Sequence, residues 1–456
     1  MIASFLQSLS DSLDIPGFNY KKLILGFTFA QWAFETVLTF RQNKVLGKPN
    51  PPETLKFDID AKTFKKSQTY SKAKAKFSIF TNAYSLLQNF LFIQYDVLPL
   101  VWQKAGTALK FVAPYLPKFL GLTMMGEISQ SMFFILFLQL ISLATNFPIE
   151  CYQHFVLEEK FGFNKLTFKL FLLDTIKMLL LSIAFGGPLI AGFLKIVLYF
   201  GDNFALYAWG MTFAFQLVLQ TIFPTVIQPL FNKVEPLEKG ELRTSIEELA
   251  KKNRFPLTQL FVIDGSKRST HSNAYFMGLP WSKQIVLYDT LIKSATIEET
   301  TAVLAHEIGH WALSHNLKMM IISNMYIISV FSMFSLFIHN NSLFNSFGFY
   351  GYKPVLAGFW MFNYILSPFD CVFTFFNHIM SRKHEYEADN YAVKQGYSQE
   401  LSRSLIKLQI ENLSAMDADW LYSAYHYSHP ILSERLKAIG YVAEKKVVQE
   451  KEEKNE

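Results

Sequence analysis

The sequence predicts a mostly α-helical membrane protein with seven transmembrane helices and a smaller water-exposed part that contains a short β element. Of its 456 residues, 51% are apolar, 46 are phenylalanine, and only 18% are charged. Soluble domains carry roughly 25% charged residues. Because this chain falls below that share and its mean hydropathy is positive, the composition excludes a largely disordered chain and favours several membrane spans.

Cysteine content and charge exclude two further classes of protein. The chain has two cysteines, Cys151 and Cys371, which cannot form a disulfide framework or a thiolate zinc site, so both are expected to be packed small residues. The net charge of +6 is modest. Its basic residues are not accompanied by a nucleic-acid recognition motif, so no nucleic-acid partner is expected.

Seven apolar stretches have the ~20 residues that a helix needs to cross a bilayer. They cover residues 23–40, 77–102, 128–147, 166–185, 189–223, 317–338 and 354–380. Gly186, Gly187 and Pro188 are expected to end the fourth span, and the fifth is long enough to require tilt or protrusion. Residues 107–122, interrupted by two prolines, are expected to lie at the membrane interface or to re-enter it.

The loop between the first two spans sets the predicted orientation. Residues 41–76 contain ten lysines or arginines and three acids, so this loop is expected in the cytoplasm and the N-terminus across the membrane. The basic loop either sets topology alone or also contacts anionic membrane lipid. Two crossings separate the loop of residues 225–316 from the segment after Met380, so both are expected on the cytoplasmic side.

These spans divide the chain into three predicted parts. Residues 1–225 form a membrane region with five spans, residues 226–446 a catalytic region with the last two spans, and residues 447–456 a charged, disordered tail. In the catalytic region the pattern predicts an amphipathic helix at residues 240–254. It also predicts two short strands, at residues 259–264 and 284–288, with a possible third strand between them at residues 271–276.

Five ionisable residues fall inside the predicted spans. Charges at membrane depth face either a wet cavity or an ion-pair partner within the bundle, and both interpretations remain open for them. They are Asp174, Lys177, Lys195, Asp202 and Asp370.

An H-E-x-x-H motif, formed by His306, Glu307 and His310, carries the chemistry. Thr296 and Glu299 precede it at the spacing of a capping box, which predicts a helix. Residues four apart share one helical face, so the two imidazoles can reach one ion, and neutral imidazoles suit zinc. Glu307 is displaced by about 100° around the helix, which suits a general base near a zinc-activated water.

A catalytic zinc ion generally takes three protein ligands and leaves one position open. The segment of residues 382–389 lies on the same predicted side of the membrane and is acidic. Glu385 and Asp389 share a helical face, whereas Glu387 points elsewhere. Glu385 is the expected third ligand, with His384 as its competitor, and Asp389 is expected to orient a ligand imidazole. The alternative is that this acidic helix is simply solvated.

Taken together and in order, these features resemble the type I CAAX prenyl proteases. Those are integral-membrane zinc metalloproteases that process farnesylated proteins such as the yeast a-factor precursor and prelamin A. The resemblance covers nearly the whole chain, although the loop between the sixth and seventh spans is short. It is carried by the basic first loop, EEKFGFN (158–164), STHSNAYF (269–276), HEIGHW (306–311), SRKHEYEAD (381–389), and HP (429–430) followed by ERL (434–436).

The resemblance implies a fold and a set of residue roles. It implies seven helices around a chamber, with a gluzincin-like zinc site holding one Zn²⁺ per chain at the chamber's cytoplasmic end. His306, His310 and Glu385 would be the ligands and Glu307 the general base. The remaining implied roles are oxyanion stabilisation by His429, support of the metal ligands by Asp389, and substrate binding by Asn273, Ala274 and Arg435, the first two on an edge strand.

The resemblance also implies a substrate and a location. The substrate would be a farnesylated CAAX protein or peptide that loses its last three residues, with a second upstream cut in some substrates. The location would be the endoplasmic reticulum membrane, with the inner nuclear membrane as a further location. There are three alternatives: a quality-control membrane metalloprotease that cuts unprenylated misfolded proteins, a transporter or channel with an incidental H-E-x-x-H motif, and a non-enzymatic membrane scaffold. The scaffold is disfavoured because a zinc triad would serve no purpose in it.

Overall fold

The computed structural model of the chain describes residues 2–115, 126–279 and 281–443. The predicted tail of residues 447–456 lies outside them. The α-helices are α1 (Ile2–Leu13), α2 (Tyr20–Val45), α3 (Ala61–Gln94), α4 (Val97–Val112), α5 (Glu127–Tyr152), α6 (Glu159–Phe161), α7 (Phe168–Leu181), α8 (Gly187–Phe200), α9 (Phe204–Ile222), α10 (Gln228–Phe231), α11 (Glu241–Lys252), α12 (Asp289–Ser294), α13 (Ile297–Ala312), α14 (His315–Ser335), α15 (Asn341–Ser346), α16 (Val355–Lys394), α17 (Ser398–Glu411), α18 (Trp420–His426) and α19 (Leu432–Ile439).

Within the described part of the chain, five helical runs are long and apolar enough to cross a membrane. They are Tyr20–Val45, Glu127–Phe161, Phe168–Phe231, His315–Ser335 and Val355–Lys394. The fold class, a mostly helical membrane protein with a small β element, is therefore confirmed. The count of seven spans stays a prediction, because α3 does not meet the same criterion: four amide side chains lower the hydropathy of its apolar half, at Asn82, Gln88, Asn89 and Gln94.

The predicted second span, residues 77–102, is wrong as a single helix. The helix α3 ends at Gln94, and Asp96 adopts a left-handed conformation with φ 50° before α4 begins. Asp96 is held there by Lys21, whose Nζ lies 2.6 Å from its Oδ1. The predicted interfacial segment also begins inside α4, and its residues 116–122 lie outside the described part of the chain.

The predicted boundary between the fourth and fifth spans is also wrong. Gly186 and Gly187 both have helical backbone angles, so a π-helical turn joins α7 to α8 without a break. The chain instead reverses at Gly201, where φ is 53° and ψ is −133°. After the reversal α9 packs back along α8, and a Cβ placed on Gly192 would approach the Met211 sulfur to 2.8 Å. Hydropathy does not detect this turn because its few polar residues are averaged out by the apolar residues around them.

The water-exposed part contains a four-stranded mixed sheet beside the site. Its strands are β1 (Val234–Pro236), β2 (Leu257–Ile263), β3 (Ala274–Leu279) and β4 (Ser282–Tyr288), in the order β1-β2-β4-β3. The pair β2 and β4 is parallel, and the other two pairs are antiparallel. The sheet packs on α13 through a buried apolar core that includes Ile285, Leu287, Leu304 and Ile308. The three predicted strands are present, whereas β1 was missed.

Several of the ionisable residues in the predicted spans have partners within the protein. Asp174 accepts two hydrogen bonds from Arg268, at 2.9 and 3.2 Å, which ties the segment before β3 to α7. Lys177 donates to the Leu230 carbonyl at 2.7 Å. Asp370 accepts a hydrogen bond from the Tyr326 hydroxyl. For these residues the structure favours pairing within the protein over a role in lining a polar chamber.

Candidate metal centre

The helix that carries the H-E-x-x-H motif begins at a complete capping box. The Thr296 side chain accepts a hydrogen bond from the Glu299 amide, and the Glu299 carboxylate accepts one from the Thr296 amide. The backbone N–H groups of Thr296 and Glu299, which have no partner within the helix, therefore both find an acceptor at the start of α13. The buried face of this helix holds His306 against the core, and its side chain is 7% exposed.

Close contact between α13 and α16 brings the third ligand into reach. A Cβ placed on Gly309 would lie 3.2 Å from the Ala388 Cα and carbonyl oxygen and 3.0 Å from the Tyr391 Cβ. Only a residue without a side chain permits this approach without a shift of one helix. The glycine of the motif therefore lets Glu385, one turn before Asp389 on α16, reach both histidines.

The side chains of three candidate ligands converge at this crossing. The Nε2 atoms of His306 and His310 lie 3.2 Å apart, and the Glu385 carboxylate oxygens lie 3.6 and 3.2 Å from them respectively. Ligands of tetrahedral zinc lie about 2.0–2.1 Å from the ion and therefore about 3.3 Å from one another. His384, the competing candidate, belongs to a different group, with its ring stacked on His315.

The donor set fits a divalent cation. Glu385 Oε2 is buried and has no hydrogen-bond partner among the described residues, although Arg435 Nη1 lies 3.5 Å away. Two imidazole nitrogens that face each other at 3.2 Å cannot both point lone pairs at the same space without a cation between them. Two imidazoles and a carboxylate suit zinc, and a set of three leaves a fourth position open.

Asp389 and Arg435 hold His306 in the orientation that this geometry requires. The His306 Nδ1 lies 2.8 Å from Asp389 Oδ1, so Nδ1 carries the proton and Nε2 presents its lone pair to the site. Arg435 donates two hydrogen bonds to Asp389, at 2.6 and 2.9 Å. The Arg435 side chain is 12% exposed and that of Asp389 1%, so this is a buried, bidentate ion pair.

His315 and Glu387 support the second histidine, and the sequence reasoning missed both roles. The Nδ1 atoms of His310 and His315 lie 3.0 Å apart, and His315 Nε2 lies 2.9 Å from Glu387 Oε2. Because a carboxylate only accepts, His315 carries its proton on Nε2 and accepts from His310 through Nδ1. His310 Nε2 is then unprotonated and faces the site.

His315, His384 and Glu387 also lie close enough together to be considered as ligands of a second ion. Their geometry argues against it. The two imidazoles stack with centroids 4.0 Å apart and an interplanar angle of 11°. Lone pairs lie in the ring planes, so two parallel rings cannot direct them at one ion. This cluster therefore orients His310.

Glu307 lies beside the ligands in a cavity of about 360 Å³, which we call the metal cavity. Burial raises the pKa of the Glu307 carboxyl, and the neighbouring histidines oppose that effect. Burial lowers the pKa of His310, but the Glu385 carboxylate outweighs it and the net pKa is raised. A carboxylate beside the candidate ligands is placed to act as a general base.

The chain's relatives agree with this geometry. Residues 42–233 match the family described as CAAX prenyl protease N-terminal, five membrane helices, and residues 236–443 match peptidase family M48. CAAX prenyl protease 1 of Saccharomyces cerevisiae is 48% identical over 453 residues, which cover 96% of this chain and 99% of that protein. The chain belongs to the CAAX prenyl protease 1 family.

Further relatives of this CAAX prenyl protease family extend to animals and to a solved structure. The CAAX prenyl protease 1 homolog of Homo sapiens is 37% identical over 456 residues, covering 91% of this chain and 94% of that protein. The crystal structure of S. mikatae Ste24p has a TM-score of 0.87 and 48% identity, covering 93% of this chain and 100% of that one. The resemblance noted from the sequence motifs is thereby confirmed, and the chain is a multi-pass membrane protein.

The family resemblance also assigned residues around the metal cavity. Asn273 and Ala274 line it, and Ala274 begins β3, which lies at the edge of the sheet. His429 lines it from the turn before α19, with its Nε2 3.4 Å from Glu385 Oε1 and its side chain 64% exposed. Arg435 also lines the cavity, but its guanidinium is already engaged by Asp389.

Proposed function

We propose that this chain is a zinc metalloendopeptidase that removes the last three residues of prenylated CAAX proteins. The observation that carries the proposal is the convergence of His306, His310 and Glu385 beside Glu307, in a cavity bordered by an edge strand. Membership of the CAAX prenyl protease 1 family supports the substrate class. The chain would hold one Zn²⁺, and for some substrates would make a second cut upstream.

The residues of the site divide the work of amide hydrolysis. Zinc at the three ligands would supply Lewis-acid polarisation and a nucleophilic water at neutral pH. Glu307 takes the proton of the attacking water and passes it to the leaving amine. His429 donates a hydrogen bond to the developing oxyanion. Its exposed position on a turn allows its Nε2 to approach a bound carbonyl.

The edge strand offers a way to align the substrate. β3 pairs with β4 on one side only, and its other edge faces the metal cavity through Asn273 and Ala274. An extended peptide can add to such an edge by main-chain hydrogen bonds. Arg435 would act on substrate only together with Asp389, because it holds that carboxylate with two hydrogen bonds.

For location, we propose the endoplasmic reticulum membrane, with the inner nuclear membrane as a further location and with the catalytic site facing the cytoplasm. The basic loop of residues 41–76 supports that orientation by the positive-inside rule. In this proposal residues 1–225 form the membrane region and residues 226–446 the catalytic region, which includes the last two spans.

The test of the function is Glu307→Gln. This variant keeps all three ligands but lacks a base, so it should retain one zinc per chain while cleavage of a farnesylated CAAX peptide falls by at least about 100-fold. Glu298→Gln, at an exposed site in the first turn of the same helix, is the matched control and should keep both zinc and activity.

Three outcomes would contradict parts of the proposal. Wild-type turnover by Glu307→Gln would remove Glu307 from the mechanism. A wild-type protein without stoichiometric zinc would remove the metal. If the wild type cut prenylated and unprenylated versions of one peptide equally well, the quality-control alternative would replace the CAAX assignment.

A further inference from the structure

A second cavity, of about 1190 Å³, lies beside the metal cavity. We call it the apolar cavity. Its wall is formed by α9 with the turn that follows it, by the first half of α14, and by the hairpin of β3 and β4. Side chains of leucine, phenylalanine, methionine and tryptophan dominate the lining, among them Phe215, Leu219, Met277, Trp281 and Met320.

Almost no charge faces this cavity. Apart from His310, the one ionisable side chain among its described lining residues is Lys283. The Lys283 ammonium donates to the Gly278 carbonyl at 2.6 Å and lies 5.4 Å from the centroid of the Phe276 ring, so it is held against the hairpin. The cavity therefore suits an uncharged apolar ligand.

The two cavities meet at the metal ligand. His310, Phe276 and Asn316 line both of them. A molecule that fills the apolar cavity would therefore lie one side chain away from the site where a peptide bond is cut.

The direction of β3 places the apolar cavity on one side of the scissile bond. The strand runs from Ala274, in the metal cavity, toward Met277 and Gly278, in the apolar cavity. A substrate strand that pairs antiparallel with β3 would run the opposite way. Its residues before the scissile bond would then lie beside the apolar cavity, and its C-terminal residues beside Ala274.

We propose that the apolar cavity binds the isoprenoid chain of the substrate, so that protein and not bilayer lipid holds the prenyl group during cleavage. This rests on the proposed function, because removal of the last three residues places the prenylated cysteine immediately before the scissile bond. The side chain of that residue is thus the one nearest to the junction at His310 and Phe276.

The first test narrows the cavity by Met320→Trp. Met320 lines the apolar cavity but not the metal cavity. Overfilling this space should raise KM for a farnesylated CAAX peptide by about tenfold, since crowding an occupied site typically costs a factor of that order. Zinc content and kcat should stay within about twofold, because the residue does not contact the metal ligands.

Met325→Trp is the matched control. Met325 lies on the same helix, is 63% exposed, and lines neither cavity. It should leave KM unchanged. An unchanged KM in Met320→Trp, or an equal rise in both variants, would overturn the proposal while leaving the proposed protease activity intact. Absence of cleavage by the wild type would instead contradict the proposed function.

A second measurement does not depend on how a tryptophan variant folds. A CAAX peptide whose isoprenoid carries a diazirine is bound to zinc-loaded Glu307→Gln protein and irradiated. The label should attach within residues 204–231, His315–Ser335 or the β3–β4 hairpin, and an excess of unlabelled farnesylated peptide should prevent it. Label confined to lipid, or to other helices such as α2 and α5, would show that the prenyl group lies elsewhere.

Discussion

His306 and His310 point at the same space, but the chain supports the two imidazoles in different ways. On the His306 side, the supporting group is the Asp389 carboxylate, which is 1% exposed and is bound by Arg435. On the His310 side, the supporting group is a second imidazole, His315, which is bound in turn by a carboxylate. That last carboxylate, Glu387, is 38% exposed.

The two supports perform one task, which is to place a proton on Nδ1 and leave Nε2 free for the metal. They differ in what their removal leaves behind. Removing one partner of a buried ion pair such as Asp389 and Arg435 leaves the other charge buried away from water, which costs about 3–5 kcal/mol. Water can replace an exposed acceptor at much lower cost. The Asp389 side should therefore tolerate substitution less well than the Glu387 side.

Glu385 belongs to both sides, and its substitution should have the largest effect. Its two oxygens face His306 and His310 separately. Glu385→Gln replaces the anionic ligand by a neutral amide, so we expect zinc content to fall from one per chain to below detection, with loss of cleavage. Metal analysis of the purified protein measures this. Full zinc occupancy in Glu385→Gln, equal to that of Glu298→Gln, would remove the carboxylate from the ligand set.

Asp389→Asn tests the buried support and should have the second largest effect. The neutral amide no longer offers His306 and Arg435 an anionic acceptor, so the buried Arg435 charge keeps only its longer contact of 3.5 Å with Glu385. We expect zinc affinity to fall by about 10–100-fold, the usual result of losing such a partner of a ligand histidine. The thermal midpoint of the metal-free protein should also fall, because the buried Arg435 loses its two hydrogen bonds to a carboxylate and keeps only the longer contact with Glu385.

Competition with a chelator measures the affinity in this variant, and thermal unfolding of the chelated protein measures the stability. A lower thermal midpoint with unchanged zinc affinity would mean that Asp389 acts only in packing. If zinc affinity and the thermal midpoint both stayed at wild-type values, the Asp389 support of His306 would not be more sensitive to substitution than the Glu387 support of His310.

Local signals explain how much of this site could be predicted from the sequence. The capping box at Thr296 and the four-residue spacing of the two histidines both act within one helix, so α13 and its metal-facing pair were predictable. Glu385 is 79 residues beyond His306, and only the shared side of the membrane and the family resemblance favoured it. The glycine contact that joins the helices, at Gly309 and Ala388, has no local signature.

His315 could not be predicted because the chain bends before it. Five residues after His310 on one continuous helix, it would project about 140° away from that histidine. Ser314 instead adopts a left-handed conformation with φ 56°, which ends α13, begins α14 and returns the His315 ring to His310. Glu387 was correctly expected to point away from Glu385, but its partner lies 72 residues earlier in the chain.

The same reason explains the errors in the membrane region. Hydropathy is averaged over a window, whereas a turn depends on the conformation of one residue. Asp96 ends one helix through a left-handed conformation, and Gly201 reverses another beside Asp202 and Asn203, whose polarity is averaged out by the apolar residues around them. Gly186 and Gly187, which looked like a helix end, remain helical. Apolar content was therefore predicted well, and the residues at which the helices end were not.

Glu387→Gln should have the smallest effect of the three and gives the sharpest comparison. The glutamine oxygen or a water molecule can still accept from His315 at this partly exposed position, so we expect zinc affinity to fall by less than about tenfold and the thermal midpoint to stay unchanged. Lys383→Gln is the control, because Lys383 lies 3.8 Å from the other Glu387 oxygen and is 74% exposed. If Glu387→Gln weakened zinc binding as much as Asp389→Asn, the exposure of the supporting carboxylate would not determine how much zinc affinity its substitution costs. The hydrogen-bond chain through His315 would then matter as much as the buried ion pair of Asp389 and Arg435.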